Sequence, residues 1–340
     1  MNGLRIALLV INSLISSAGI VANLVLLIII SVATPKPIRT YSVLIVNYAV
    51  TDLFTSLAQA LTVPRLITEN GSFLLVFYGA CSEISSRTCL YSFFVETFGF
   101  SHGLNSILLS ICYRYFSLRY GVPKRKPIII LCFITCLPSL VPMLVLCQKW
   151  ANESTVANLI AKYRSDMPQT SALECVCWRV EPLKTRRGCD GDLAFTAGIL
   201  DASDVLVSCV LIFYVLPWLP IMITINVLKS KMYALVRCRA TVLSSETLRL
   251  HANLIKALTT QSLTPFLHLI TYLCYIIEQH IYSNPVTELI IFIPVGVLSI
   301  VTPIINIYYI RPYREMFKRC LRYQSKPSEV SRSKVSFSRK

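Results

Sequence analysis

Long uncharged apolar runs alternate with short polar connections through most of this chain. Residues 6–35 contain no charged side chain, and 40–64 contain only Asp52. Residues 88–113 contain Glu96 and the neutral His102, while 127–148, 205–228, 257–277 and 289–310 are free of charge. A helix needs roughly 20 apolar residues to cross a bilayer core, and each run meets that length. The pattern therefore predicts an all-α, seven-transmembrane bundle, with helices at about 6–31, 40–64, 88–114, 127–148, 205–228, 257–278 and 289–310. The first run begins like a secretory signal, with Arg5, an apolar stretch and small residues from Ser16. It continues to Ile30, well beyond a signal core, so an uncleaved helix is expected.

Composition supports this reading. The 340 residues are 54% hydrophobic and 15% charged, with a mean hydropathy of +0.61. Soluble domains carry about 25% charge, so too little polar surface remains for a water-facing globule. A net charge of +16 suits a nucleic-acid partner, but a nucleic-acid binder would not be this apolar. Membrane lipid is the expected surrounding.

The placement of charge orients the bundle. The connections 31–39, 114–126 and 229–256 and the tail 311–340 carry 23 of the 33 Lys and Arg, with three acids. Positive loops stay cytoplasmic, so the N-terminus is expected outside and the C-terminus inside. The two Asn-x-Ser/Thr acceptors, Asn70 and Asn152, both fall on the outer side as glycosylation candidates.

Residues 149–204 form the long extracellular loop and 311–340 a basic cytoplasmic tail. Cys175, Cys177 and Cys189 lie in the loop, Cys81 precedes the third helix, and Cys89 lies just inside it. These are disulfide candidates in an oxidising compartment; the pairing is left open, with Cys147 a possible sixth partner. Zinc is the weaker reading, because no outer His lies near enough to complete a site. The tail begins with a stretch fit for an amphipathic helix on anionic lipid, in which Cys320 is a palmitoylation candidate.

Signatures of catalysis are missing. There is no His-Glu-x-x-His, no Gly-Lys-Ser/Thr and no Gly-x-Ser-x-Gly, and Gly99-x-x-x-Gly103 suits close helix packing. No enzyme activity, cofactor or metal is expected. Ionisable groups inside spans are costly and merit a role. Glu96 lies seven residues beyond Cys89, about 10 Å deeper at helical rise, where it could hold a cationic ligand, donate a hydrogen bond or make a structural contact. Asp52 sits mid-span and, with Asn23, forms a buried polar cluster, read either as ion-binding or as a hydrated structural network. Prolines in spans four to seven are candidate hinges.

Several motifs resemble those of known receptors. Seven spans, Cys89 at one end of helix three and Arg114 at its other end resemble G-protein-coupled receptors, as do Gly19-x-x-Ala-Asn23 and Val50-Thr-Asp52-Leu. Pro35-Lys-Pro-Ile-Arg-Thr-Tyr-Ser42, Ser110-Ile-Cys-Tyr-Arg-Tyr115 and Gln261-Ser-Leu-Thr-Pro265 are closer to nematode chemoreceptors. With Pro303-Ile-Ile-Asn306 through Arg314, they resemble the serpentine receptor class delta.

The resemblance implies a chemosensory receptor in the plasma membrane, with the sensory cilium as one location. It would bind a small external molecule and signal to a heterotrimeric G protein. It also implies that Cys89 bonds an outer-loop Cys, and that Arg114 is the switch residue, with Tyr113, Lys124, Arg125 and Lys126 on the G-protein face. The pocket candidates are Glu96, Gln59, His268 and Tyr272, and Asn306 joins the polar cluster of Asn23 and Asp52. Tyr113 stands where rhodopsin-like receptors carry an acid, Thr302-Pro303 replaces their Asn-Pro, and the Cys-Trp-x-Pro motif is missing. A seven-helix ligand-gated channel or transporter is the alternative, disfavoured by the sparse membrane charge and the lack of internal repeats.

Overall fold

The computed structural model describes residues 2–68, 71–148, 151, 155–156, 158–159, 195–200, 204–238, 253, 255–281 and 284–324. Asn70, Asn152, Cys175, Cys177 and Cys189 lie outside the described residues, as does the tail beyond 324.

Four spans are continuous helices: α1 (Asn2–Ala33), α2 (Tyr41–Thr62), α3 (Ser86–Tyr120) and α4 (Arg125–Gln148). The other three are broken. The fifth comprises α5 (Val205–Val215) and α6 (Trp218–Cys238), the sixth a helical stretch at 255–261 and α7 (Pro265–His280), and the seventh α8 (Pro285–Ile290) and α9 (Ile293–Tyr309). A final helix, α10 (Arg311–Gln324), follows at once. Local chemistry sets several ends. Ser85 caps α3 by accepting from Thr88 N, Asp204 caps α5 through Leu206 N and Val207 N, and Asn284 caps α8 through Val286 N.

The prolines have two fates. Pro138 and Pro142 in α4 and Pro303 in α9 lie inside unbroken helices. Pro217 falls in a break, and Pro265 opens a new helix after the turn at 262–264, where its missing N–H costs no intrahelical bond. The indole Nε1 of Trp218 donates to Pro265 O at 2.9 Å, so the breaks of spans five and six are bonded together.

Helix α3 packs against α2, α4 and α6, and α1 packs against α2 and α9. Small residues permit the closest approaches. A Cβ at Gly99 would overlap Thr55 Oγ1, and one at Gly103 would lie 3.4 Å from Tyr48 Oη, so the Gly99/Gly103 face of α3 lies directly on α2. A Cβ at Gly19 would reach Ser56 Oγ at 2.5 Å, drawing α1 against α2.

Among the described residues, five helical stretches are long and apolar enough to cross a membrane: Ile6–Ala33, Tyr41–Thr62, Arg125–Val145, Trp218–Cys238 and Val286–Tyr309, the last interrupted at 291–292. Helix α3 is 35 residues long, about 52 Å at helical rise, but is more polar. Large apolar side chains face outward in belts, including Leu14, Val21 and Ile28 on α1 and Ile130, Phe133, Leu137 and Leu144 on α4. Water would penalise such patches, whereas lipid accommodates them.

One end of the bundle carries a three-stranded antiparallel sheet in the order β1 (Pro64–Ile67), β2 (Phe73–Phe77) and β3 (Phe195–Ile199). Pro64 pairs with Phe77 and Ile67 with Leu74, while Phe73 pairs with Ile199 and Phe77 with Phe195. β1 is buried along its whole length and β2 from Leu74 to Phe77, so the sheet is a packed lid.

Candidate functional site

The lid rests on an aromatic layer. Phe77 of β2 meets Phe93 of α3 edge-on at 6.0 Å, and Phe93 meets Phe292 perpendicularly at 5.8 Å. Phe73 lies 6.0 Å from Tyr275. Cys81 is disulfide-bonded to Cys89, which fastens the connection after β2 to the lid end of α3. A second attachment lies in β1. Arg65 Nε donates to Glu288 Oε2 at 2.7 Å, with Arg65 4% and Glu288 0% exposed.

Below this layer lies Glu96, 2% exposed. Thr62 Oγ1 donates to Glu96 Oε2 at 3.1 Å, and Glu96 Oε1 has no hydrogen-bond partner among the described residues. Gln59 lies one turn before Thr62 on α2 and is fully buried, with neither amide atom bonded among the described residues. Its backbone O accepts from Asn12 Nδ2 at 3.0 Å, while its side chain fills the space left by the missing Cβ of Gly296. Buried polar atoms are usually satisfied, yet these three atoms of Glu96 and Gln59 have no such partner among the described residues.

His268 and Tyr272 form a second group. The His268 ring lies 4.1 Å from that of Phe100, its Nε2 is 3.3 Å from Phe100 O, and Tyr272 meets the same phenyl ring edge-on at 5.7 Å. Phe100 is one turn beyond Glu96 on α3. His268 and Tyr272 thus lie around Phe100, one turn from Glu96, whereas the Gln59 amide lies against Gly296 of α9. Thr62 and Phe100 join them in space. Sequence offered little sign of either, since a Thr and a Phe in a membrane span are ordinary.

Farther along, Asn23 Nδ2 donates to Gly19 O at 2.9 Å and Ser299 O at 2.8 Å, joining α1 to α9. Asp52 is buried with Oδ2 unpaired among the described residues, as are Asn23 Oδ1, Ser56 Oγ and Thr302 Oγ1. Asn306 bonds within its own helix, to Thr302 O at 3.1 Å. A further polar group ties α2 to α3: Asn47 Nδ2 lies 3.1 Å from His102 Nε2 and donates to Ser106 Oγ at 3.2 Å. Among the described residues no group of three or more His, Cys, Asp or Glu suits a metal ion.

At the opposite end of α3, Arg114 is 4% exposed, and its guanidinium carbon lies 3.5 Å from the centre of the Tyr41 ring. Tyr41 stacks on Tyr113 at 5.8 Å. Tyr313 of α10 is packed in the same cluster, with its hydroxyl 3.1 Å from Thr34 Oγ1. Burial pushes the Tyr313 phenol up to about 12, although the Thr34 bond opposes the shift. Arg114 Nε and Nη2 have no hydrogen-bond partner among the described residues. Where rhodopsin-like receptors place an acid beside this arginine, the present chain uses aromatic faces, whose quadrupoles attract cations.

Lys124, Arg125 and Lys126 stand exposed nearby, at the start of α4. On α10 the exposed Arg311 pairs with Glu315 at 2.6 Å, and this bond holds the Glu315 carboxyl below its usual range. Cys320 is exposed and free on the same helix.

The fold and these residues can be set beside known proteins. The crystal structure of squid rhodopsin superposes with a TM-score of 0.60, covering 94% of this chain and 85% of that one at 12% identity. That likeness establishes the seven-helix fold. Among curated relatives, serpentine receptor class delta-3 of Caenorhabditis elegans is 28% identical over 307 residues, which is 90% of this chain and 85% of the relative. Serpentine receptor class delta-19 of the same nematode is 26% identical over 311 residues, or 91% and 86%. Residues 8–319 match the family model described as serpentine type 7TM GPCR chemoreceptor Srd. With the match spanning nearly all seven helices, the chain belongs to the serpentine type 7TM chemoreceptor family Srd.

Proposed function

We propose that the protein binds a small external molecule beneath the β-sheet lid and signals to a heterotrimeric G protein at the opposite end. The observation that carries this reading is Glu96, buried under an aromatic roof with one carboxylate oxygen unpaired among the described residues. Gln59, His268 and Tyr272 complete the pocket, which combines aromatic walls with a few polar atoms, as small-molecule sites do. The lid end faces outward and the Arg114 end inward. The concentration of Lys and Arg in the connections at the Arg114 end supports that orientation. Arg114, Tyr113 and the exposed Lys124, Arg125 and Lys126 form the face offered to the G protein. Asn23, Asp52 and Asn306 form a hydrated polar core between the two ends. The receptor resides in the plasma membrane, where anionic lipid receives the basic α10.

The pocket is tested with pools of small organic molecules applied to cells that carry a reporter of G-protein activation. A pool that activates the wild type should lose at least tenfold in potency on Glu96→Ala and on His268→Ala at equal surface expression. Unchanged potency on both variants would reject this pocket.

A further inference from the structure

The lid is held by three attachments of different kinds. The Cys81–Cys89 disulfide ties it covalently to α3. Beyond β1, Thr68 Oγ1 donates to the backbone O of Glu278, near the end of α7, at 3.1 Å, and the Glu278 carboxylate accepts from Asn284 N at 3.2 Å. The third attachment is ionic: Arg65 Nη2 lies 2.5 Å from Glu288 Oε2, and Arg65 Nη1 lies 3.5 Å from Tyr78 Oη. Glu288 is carried by α8, a helix of six residues separated from α9 by the non-helical Ile291 and Phe292. Such a break lets α8 shift without carrying all of α9. Phe292, in the break, packs on Phe93 of the roof, and Gly296 just beyond it borders Gln59.

A buried ion pair is bistable in a way that an apolar contact is not. Closed, the two charges neutralise each other; apart, neither tolerates a dry surrounding, so each must be hydrated. We propose that the Arg65–Glu288 pair is the latch that closes the lid over the Glu96 chamber and couples lid position to the seventh span. The latch rests on the receptor reading in one respect, the outward orientation of the lid. Opening separates β1 from α8, admits water beside Glu96 and displaces Phe292 from the aromatic layer.

The test uses a charged, membrane-impermeant methanethiosulfonate added to intact cells, with labelling of each site followed by mass spectrometry. Ile84, 59% exposed beside the lid, becomes the reference site as Ile84→Cys; Glu96→Cys reports on the chamber. With the latch intact, Ile84→Cys should label quickly and Glu96→Cys slowly. Adding Glu288→Gln should label Glu96→Cys at least tenfold faster, and Arg65→Gln should do the same. The exchanged pair Arg65→Glu with Glu288→Arg should return the slow rate. Native Cys112, on the opposite half of α3, should not change. Equal Glu96→Cys rates with and without Glu288→Gln, in molecules whose Ile84→Cys labels normally, would overturn the latch. A parallel rise at Cys112 would overturn it too, by exposing a general loosening of the bundle. Failure of Ile84→Cys to label in any variant would instead overturn the outward orientation.

Discussion

At the scale of single residues, the contrast between Arg114 and Arg65 is instructive. Both are buried arginines, yet one is neutralised by a carboxylate and the other lies against a tyrosine ring. An aromatic face attracts a desolvated cation by about 2 kcal/mol, and without a full opposite charge it neutralises the cation less completely than a carboxylate does. Arg114 is therefore held strongly enough to be ordered and weakly enough to be released to a partner. Tyr41→Phe keeps the ring and should leave thermal stability in detergent nearly unchanged. Tyr41→Leu removes it and should cost about 1–2 kcal/mol, seen as a lower melting temperature; equal losses in the two variants would show that the hydroxyl, and not the ring, holds Arg114. Sequence exposed only half of this arrangement. Tyr113 stood out as the missing acid, but Tyr41 lies 72 positions earlier and no local pattern announces that it meets Arg114. Arg65 and Glu288 lie 223 residues apart, and no local pattern announces that folding joins them.

At the scale of elements, uncharged runs against a lipid environment made the spans legible, because leaving a charge in hydrocarbon is costly over every turn of helix. The Gly99/Gly103 spacing was legible for the same reason, as a small-residue stripe in a membrane helix. Gly99→Val should push Thr55 and α2 away at about 1–3 kcal/mol, which surface expression and melting temperature would report as a loss. The lid was not legible. Its strands are only four and five residues long, β1 carries the charged Arg65, and β3 joins from more than a hundred residues downstream. Helix breaks were legible at prolines: Pro265 opens α7, and Pro294 lies in the first turn of α9, just after the break at Ile291 and Phe292. The Cys81–Cys89 bond closes a short loop, worth about 2.5 kcal/mol by loop-closure entropy. Cys81→Ser, Cys89→Ser and the double variant should lower the melting temperature by the same amount. A deeper loss in Cys89→Ser than in Cys81→Ser would point to a different partner for Cys89.

Over the whole molecule, the two ends of α3 divide the work. Near one end the helix carries the buried Glu96 beneath strands from two distant connections; near the other it carries Arg114 against a tyrosine cluster that includes Tyr313 of α10. Between them lie polar side chains with unpaired atoms, bonded across α1, α2, α3 and α9. Under the proposed function, a core incompletely satisfied by protein groups would offer the alternative arrangements that a two-state receptor requires. Helices α1 to α4 are uninterrupted, whereas the last three spans are broken. The central claim, that occupancy at the lid end drives a G protein at the Arg114 end, is met most directly by one measurement. Chemical pools are applied to cells expressing either the wild type or Arg114→Ala at matched surface levels, with G-protein activation as the readout. At least one pool should evoke a response in the wild type that Arg114→Ala abolishes; an equal response in both would contradict the account.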